Sequence, residues 1–255
     1  MYSYTRKVFS YFIQPGDSYW GLAERFKTTV EAIIAANPGL NPYQLFTGQI
    51  VRIPDVPAQA LPVATGRGES PCISKAEFDL KSNMRLLWEE HVAWTRMTII
   101  SIAFNLPDLK VVIARLLQNA TDMGNLLKPL YGDQIGSNYG DLMREHLVLA
   151  ADLVKAAKAG KSSAAAEAEK KWYANADKIA AFLNSINPYL PEEAVRNMLY
   201  EHLALTKKEA VSILNKDYQT GVEVYDQIEK QALEMSDSIS EGIVKQFPQT
   251  FISQK

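Results

Sequence analysis

The sequence predicts two folds in one chain: a small α+β unit with the order βααβ, then an all-α bundle of about six helices built from three αα-hairpin repeats. A Pro- and Gly-rich segment, residues 55–73, separates two stretches of different pattern. The first stretch, residues 10–54, alternates β-prone and helix-prone runs, whereas residues 74–255 are helically periodic almost throughout. Within this second stretch, a Glu-His pair recurs at spacings of 55 and 56 residues.

The composition limits the classes of function. The chain has 255 residues, 47% of them hydrophobic and 22% charged, which is typical of a folded protein. A net charge of -2 gives no electrostatic reason to expect a nucleic-acid partner or an anionic membrane surface. A single Cys excludes an internal disulfide framework and a Cys-rich zinc module.

Neither a membrane span nor a secretory leader is expected. The most apolar stretch, Met97–Leu106, is interrupted by polar residues and is far shorter than the roughly 20 residues that a bilayer crossing needs. Arg6 and Lys7 are not followed by the apolar run of a signal peptide. We therefore expect synthesis in the cytoplasm, and any exposure outside a cell would need another route, such as lysis, unconventional export or deposition on a structure built inside the cell.

The first stretch divides into elements at its turn residues. Asp17 or Ser18 is suited to cap the first helix, Thr29 the second, and the sequence Asn-Pro-Gly that begins at Asn37 ends the second helix. In order, the predicted elements are a strand at Ser10–Ile13, a turn at QPGD, a helix through Leu22, a helix at Val30–Ala36 and a strand at Gln49–Ile53.

The segment YFIQPGDSYWGLAERFKTTVEAIIAANPGLNPYQLFTGQIVRIP resembles a LysM domain over its whole length. The QPGD turn, the Trp-containing first helix, TTVEAIIAANP and the closing RIP agree in order and spacing. The resemblance implies a βααβ fold that binds N-acetylglucosamine polymers such as peptidoglycan and chitin. It places the sugar groove between the turn after the first strand and the loop after the second helix. By position, the groove residues would be Gly16, Asp17, Ser18, Tyr19, Asn37, Pro38, Gly39, Leu40 and Asn41.

These nine residues also have a purely structural interpretation. Asp17 is suited to cap a helix without any ligand, and Pro38 and Gly39 end a helix in any case. Glycine and proline leave backbone amides and carbonyls accessible to an N-acetyl group, and Leu40 suits its methyl group. The expectation of glycan binding therefore depends on the family resemblance.

The second stretch begins with a capping box at Ser74–Glu77 and continues as helices separated by short breaks. Short breaks place consecutive helices side by side in antiparallel pairs, as in a bundle. The predicted helices are 75–104, 108–127, 133–158, 162–185, 191–214 and 217–245.

The three histidines of the chain are His91, His146 and His202, each preceded by Glu and each on the first helix of a hairpin. Their contexts LLWEEHVAWT, DLMREHLVLA and NMLYEHLALT are alike. Each lies on an apolar helical stripe, so all three are expected to face the bundle core. The second helices share Asn119 and Asn175, but the third has no equivalent Asn.

Three inward imidazoles can converge on a transition metal such as zinc, iron or manganese. Carboxylates would complete or orient the set. The alternative is that the histidines are structural core residues that each hydrogen-bond a carboxylate or Asn. The carboxylate candidates are Asp122, Asp177, Asp237, Glu90, Glu145 and Glu201.

The segments MRLLWEEHVAWTRMTIIS and MLYEHLALT also resemble a little-characterised family of helical domains from spore-forming Firmicutes, for which no activity is implied.

The favoured function is a non-enzymatic anchoring protein, in which the LysM-like unit binds the glycan and the bundle serves as a structural or partner-binding module. Its partner would be a second copy or an envelope or spore protein. The second hypothesis is a metal-binding bundle or metalloenzyme tethered to the wall. A cell-wall hydrolase is disfavoured because no catalytic pair is evident.

Overall fold

The computed structural model describes residues 8–14, 17–38, 40, 45–54 and 73–252. The chain divides into two compact units, Met1–Ser70 and Pro71–Lys255.

The N-terminal unit has the predicted order of elements. They are β1 (Val8–Phe12), α1 (Tyr19–Arg25), α2 (Val30–Ala36) and β2 (Ile50–Pro54). The two strands pair antiparallel, with Val8 opposite Pro54 and Phe12 opposite Ile50. The first strand begins two residues earlier than predicted because this register extends the ladder to the end of β2.

Side-chain caps and a small apolar core hold this unit together. The Ser18 hydroxyl accepts a hydrogen bond from the Gly21 backbone N–H at 3.1 Å, so Ser18 rather than Asp17 caps α1. Thr29 caps α2 in the same way, as predicted. The core beneath the two helices contains Ile13, Leu22, Ile33, Val51 and Ile53, each at most 2% exposed.

The C-terminal unit is a bundle of six long helices, which confirms the predicted number. They are α3 (Lys75–Phe104), α4 (Leu109–Tyr131), α5 (Asp133–Lys158), α6 (Ser162–Ile186), α7 (Glu192–Leu214) and α8 (Tyr218–Gln246), followed by a short 3-10 turn at Pro248–Thr250. Helix α4 passes through Pro129, beyond its predicted end at residue 127. A proline in the last turn removes only one intrahelical N–H, so the helix continues to Tyr131.

The six helices form a closed ring. Each helix contacts the next one along the chain, and α8 returns to contact α3. Helix α3 also contacts α5 and α7, so the three helices that carry the histidines meet inside the bundle. The largest fully buried side chains of this core are Trp88 and Trp172. None of the described helices combines the length and apolarity that a bilayer crossing requires.

Helices α4 and α5 approach each other at glycines. A Cβ atom at Gly124 would lie 2.5 Å from the carbonyl oxygen of Gly136 and 3.1 Å from the Cα atom of Gly140. Two backbones can pass this closely only where neither carries a side chain at the crossing.

One carboxylate is buried in the bundle with a cationic partner. Glu209 on α7 is 1% exposed and forms an ion pair with Arg96 on α3. Arg96 also donates to the carbonyl oxygen of Gly221 at 3.2 Å and stacks over the ring of Tyr225 at 4.8 Å. Burial raises the pKa of Glu209 to about 7, and the nearby guanidinium offsets only part of this rise.

Candidate functional site

The structure brings the three histidines together in the centre of the bundle. His91 lies on α3, His146 on α5 and His202 on α7, and each is at most 2% exposed. The ring centroid of His91 lies 6.0 Å from that of His146 and 5.7 Å from that of His202, and the centroids of His146 and His202 lie 6.4 Å apart. One nitrogen from each ring lies within 4.8 Å of the other two. The prediction that all three face the core is confirmed.

Each histidine is accompanied by an amide side chain from the following helix. Asn119 on α4 donates from Nδ2 to the carbonyl oxygen of Leu87 at 2.8 Å. Asn175 on α6 donates to that of Leu142 at 3.2 Å, and Gln231 on α8 donates from Nε2 to that of Met198 at 2.9 Å. In every case the accepting carbonyl lies four residues before the histidine. The same local arrangement therefore occurs three times.

Two of these amides fix the protonation pattern of their histidines. The Asn119 Oδ1 atom lies 3.3 Å from His91 Nδ1, and the Gln231 Oε1 atom lies 3.0 Å from His202 Nδ1. An amide oxygen only accepts hydrogen bonds, so each Nδ1 must carry the proton. In a neutral ring the lone pair is then on Nε2, which is the form that binds metal ions.

The third pair, His146 and Asn175, is not joined by a hydrogen bond between the amide oxygen and the imidazole. Among the described residues, neither His146 Nδ1 nor Asn175 Oδ1 has a hydrogen-bond partner. Asn175 instead donates a second bond from Nδ2 to Glu145 at 3.0 Å. The α5–α6 pair therefore holds its imidazole less firmly than the other two.

Gln231 was not predicted, because the third hairpin has no Asn equivalent to Asn119 and Asn175. The spacing contains a usable signal, since Gln231 follows His202 by 29 residues and Asn175 follows His146 by 29 residues. Asn119 follows His91 by 28 residues, which shows that the position tolerates a shift of one. Gln carries the same amide group as Asn on a side chain one methylene longer, so it makes the same two contacts.

None of the six proposed carboxylates hydrogen-bonds a histidine among the described residues, although Glu145 accepts a bond from Asn175 at 3.0 Å. A residue next to an inward histidine points about 100° away around the helix, towards the surface. Glu201 is exposed, and the other five have partners there: Glu90 with Arg115, Glu145 with Lys178, Asp177 with Arg196, Asp237 with Arg85 and Asp122 with Gln118.

Burial keeps all three imidazoles neutral at pH 7. It lowers the pKa of His146 to about 3 and that of His202 to about 4. The pKa of His91 lies well below its usual value, first because of burial and then because His202 and His146 lie beside it. The cluster therefore has three uncharged nitrogen donors.

The donor nitrogens are close enough to reach one ion after a small inward shift. Because they lie within 4.8 Å of one another, each lies at most about 2.8 Å from the point midway between the three, whereas zinc–imidazole bonds measure about 2.0–2.1 Å. Each ring would have to move inward by at most about 0.8 Å to coordinate one ion.

The first loop of the N-terminal unit is organised by Asp17. Its carboxylate accepts hydrogen bonds from the Gln14 backbone N–H at 2.8 Å and from the Tyr11 hydroxyl at 2.9 Å, and it pairs with Arg25 at 3.3 Å. The Gln14 bond is the main reason why the pKa of Asp17 lies below its usual value. Tyr19, at 3% exposed, belongs to the core. These side chains act inside the fold and shape the loop.

The second loop is held by Asn37. This buried side chain exchanges two hydrogen bonds of 2.8 Å with the backbone of Arg52 and donates a third to Ile33 at 2.7 Å. Pro38 is exposed, and Leu40 is half-buried against the core. Three other groove candidates, Gly16, Gly39 and Asn41, lie outside the described residues.

Comparison with known proteins identifies the N-terminal unit alone. Residues 11–54 match the family model of the LysM domain. No curated protein and no solved structure matches the chain. The likeness of the bundle to a helical family of spore-forming Firmicutes stays a prediction. Residues 11–54, with their βααβ fold, are a LysM domain.

Proposed function

We propose that the chain binds peptidoglycan or another N-acetylglucosamine polymer through its LysM domain and so anchors the helical bundle to a cell wall. The observation that carries this proposal is the LysM match at residues 11–54 on a unit with the βααβ fold. The domain boundaries we propose are 10–54 for glycan binding, 55–73 for a linker and 74–255 for the bundle.

The hydrogen bonds of the two loops support this role. Asp17 ties together the turn before α1, and Asn37 ties the end of α2 to β2. Residues held by such hydrogen bonds lose little conformational entropy when a ligand binds. The candidate contacts are then loop backbone groups for the N-acetyl amide and the apolar surface of Pro38 and Leu40 for its methyl group.

Retention on insoluble peptidoglycan and on chitin tests this proposal with the full chain. We expect both polymers to retain the protein and soluble N-acetylglucosamine oligosaccharides to release it. Leu40→Ser should lower retention at least about fivefold, because it removes the apolar contact of one loop. Ile34→Ser is the matched control, since Ile34 is exposed on α2 outside both loops.

Thermal unfolding must show that both variants keep the N-terminal unit folded. Failure of either polymer to retain the wild-type chain would contradict the proposal. Equal loss of retention in the folded Leu40→Ser and Ile34→Ser variants would contradict the assignment of the contact to the loop.

The bundle is proposed to be the anchored module rather than an enzyme. The three histidine–amide pairs support the prediction that the bundle arose from three copies of one αα-hairpin. One LysM domain binds weakly, so a second copy of the chain or an envelope or spore protein bound to the bundle would strengthen attachment. Deposition on a spore is the setting that we propose for this assembly.

A second candidate function is metal binding by the bundle. The observation that favours it is the convergence of three buried, neutral imidazoles, two of which present Nε2 lone pairs. Nitrogen lone pairs that lie close together repel each other, and a cation between them removes this repulsion. An all-imidazole set suits zinc or iron better than manganese, which prefers oxygen ligands.

Elemental analysis of protein purified without a tag tests this candidate. We expect about one zinc or iron per chain and a lower melting temperature after a chelator removes it, because a metal that binds only the folded state stabilises it. His202→Gln should abolish the metal content, whereas Glu201→Gln at the exposed neighbouring position should leave it unchanged. Less than about 0.1 metal per chain with chelator-insensitive melting would reject metal binding.

A further inference from the structure

The three histidine–amide pairs differ in one contact. In two of them, the amide oxygens of Asn119 and Gln231 lie 3.3 Å and 3.0 Å from the Nδ1 atom of the histidine. In the pair on α5 and α6, neither Asn175 Oδ1 nor His146 Nδ1 has a partner among the described residues. Asn175 is also the amide that donates to a glutamate, Glu145, at 3.0 Å. The amide that bonds the preceding glutamate is therefore the one that does not bond its histidine.

The glutamates before the other two histidines do not bond the amides of their hairpins. Glu90 forms its ion pair with Arg115 on α4 at 2.9 Å. Glu201 is exposed and, within the described part of the chain, has no hydrogen bond to Gln231. These two hairpins are therefore internal comparisons for the one on α5 and α6.

The two ends of the Asn175 amide move together. The amide group is planar, so a rotation that aims Nδ2 at Glu145 also moves Oδ1. The bond from Asn175 Nδ2 to the Leu142 carbonyl oxygen is accordingly 3.2 Å long, whereas its equivalents in the other two hairpins are 2.8 Å and 2.9 Å. The bond to the glutamate thus competes with a bond to the imidazole.

A lysine three residues after Asn175 explains why only Glu145 bonds its amide. Lys178 Nζ lies 3.2 Å and 3.5 Å from the two carboxylate oxygens of Glu145. The corresponding positions of the other two hairpins are acidic, Asp122 and Glu234. A lysine attracts the carboxylate of the neighbouring helix, whereas an acidic residue repels it. The sequence therefore draws a glutamate to the amide in the second hairpin alone.

From these contacts we infer that Glu145, held by Lys178, turns Asn175 away from His146 and so weakens this imidazole as a metal ligand. An acceptor that holds Nδ1–H keeps the ring in place and the lone pair on Nε2, and such partners change metal affinity by about 10–100-fold. Glu145 is thus a positioning residue that lowers the affinity of the cluster from the surface, where its side chain is 45% exposed. The effect on affinity rests on the proposed metal binding, whereas the effect on the imidazole does not.

Long-range proton–nitrogen NMR of the full chain, with nitrogen-15 in its histidines and a chelator present, tests the effect on the imidazole. It reports which ring nitrogen carries the proton. We expect His146 to populate both the Nδ1–H and the Nε2–H form in the wild type, and chiefly the Nδ1–H form in Glu145→Ala and in Lys178→Glu. Glu90→Ala is the matched control, because the carboxylate that it removes bonds Arg115 instead of an amide. It should leave all three imidazoles unchanged.

Competition for Zn²⁺ with a fluorescent chelator tests the effect on affinity. We expect Glu145→Ala and Lys178→Glu to bind Zn²⁺ about tenfold more tightly than the wild type, and Glu90→Ala to bind it equally well. Addition of Asn175→Leu to Glu145→Ala should remove the gain, because the effect passes through this amide. If the wild type binds no Zn²⁺, zinc binding by the cluster is wrong, and the NMR measurement still decides the inference.

Circular dichroism shows which variants are folded. A His146 that carries its proton on Nδ1 alone in the wild type would overturn the inference. An unchanged His146 in a folded Glu145→Ala or Lys178→Glu variant, or the same change in Glu90→Ala, would overturn it as well. So would an unchanged Zn²⁺ affinity of these two variants in a chain that binds the ion.

Discussion

Gly124→Ala is expected to lower the free energy of unfolding of the bundle by about 3 kcal/mol, at the upper end of the usual cost of overpacking. The new methyl group would lie 2.5 Å from the carbonyl oxygen of Gly136 and 3.1–3.2 Å from the backbone of Gly140. These are backbone atoms of α5, so no side chain can rotate away. The two helices must separate, which also loosens the α4–α5 packing around Asn119 and His146.

Gly221→Ala is the matched control. Its Cβ would meet Ile213 at 3.4 Å and Ser212 at 3.9 Å, which are ordinary contacts, and alanine is the better helix former. We expect Gly221→Ala to keep wild-type stability or to gain up to about 1 kcal/mol. Urea denaturation followed by far-ultraviolet circular dichroism measures both variants. Equal stability of Gly124→Ala and wild type would show that the close approach of α4 and α5 is not obligatory.

The helices and strands of both units could be predicted because the residues that start and end them lie close together in the sequence. Ser74, Ser18 and Thr29 each bond a backbone N–H three residues later, so a cap can be recognised from a few residues. The end of α4 was missed because whether a helix ends before Pro129 or passes it depends on the surrounding packing.

The histidine cluster was only partly predictable. The apolar stripe of each helix places His91, His146 and His202 inside the bundle, and this is a property of one helix at a time. The role of Gln231 and the bond between Asn175 and Glu145 depend on how the helices pack together. A hydrogen bond between two helices has no signature in the periodicity of either one.

The groove candidates illustrate a different limit. The family resemblance transfers positions, but it does not say which side chains stay free for a ligand. In the structure, Asp17, Ser18 and Asn37 use their polar atoms within the fold. Sequence could not reveal this, because Asn37 reaches Arg52 across 15 residues and Asp17 is reached by Tyr11 and Arg25 from two different elements.

Mild acid is expected to destabilise the metal-free bundle strongly. In the unfolded chain the histidines have a pKa near 6.5, whereas burial lowers the pKa of His146 to about 3 and that of His202 to about 4. The unfolded state therefore binds more protons as the pH falls below 6.5, and stability is lost. Between pH 7 and pH 5 the loss is about 2 kcal/mol for each of His146 and His202, or about 4 kcal/mol together, and His91, whose pKa is shifted in the same direction, adds to it.

Glu209 opposes this loss. Its folded pKa of about 7 lies above its unfolded value, so the folded state gains a proton over the same range and is stabilised by about 2 kcal/mol. The expected net loss between pH 7 and pH 5 from His146, His202 and Glu209 is about 2 kcal/mol, to which His91 adds, and this is a substantial part of the stability of an ordinary domain. Urea denaturation in the presence of a chelator at pH 7, 6 and 5 measures it.

Two variants should change the loss of stability between pH 7 and pH 5 in opposite directions. His146→Leu removes one titrating imidazole, one whose Nδ1 has no partner among the described residues, and should reduce the loss by about 2 kcal/mol. Glu209→Gln keeps a hydrogen-bond acceptor for Arg96 but removes the opposing titration, and should increase the loss by about 2 kcal/mol. If His146→Leu loses as much stability as the wild type, protons enter the folded core without unfolding it, and the histidine cluster is more accessible to water than its burial implies.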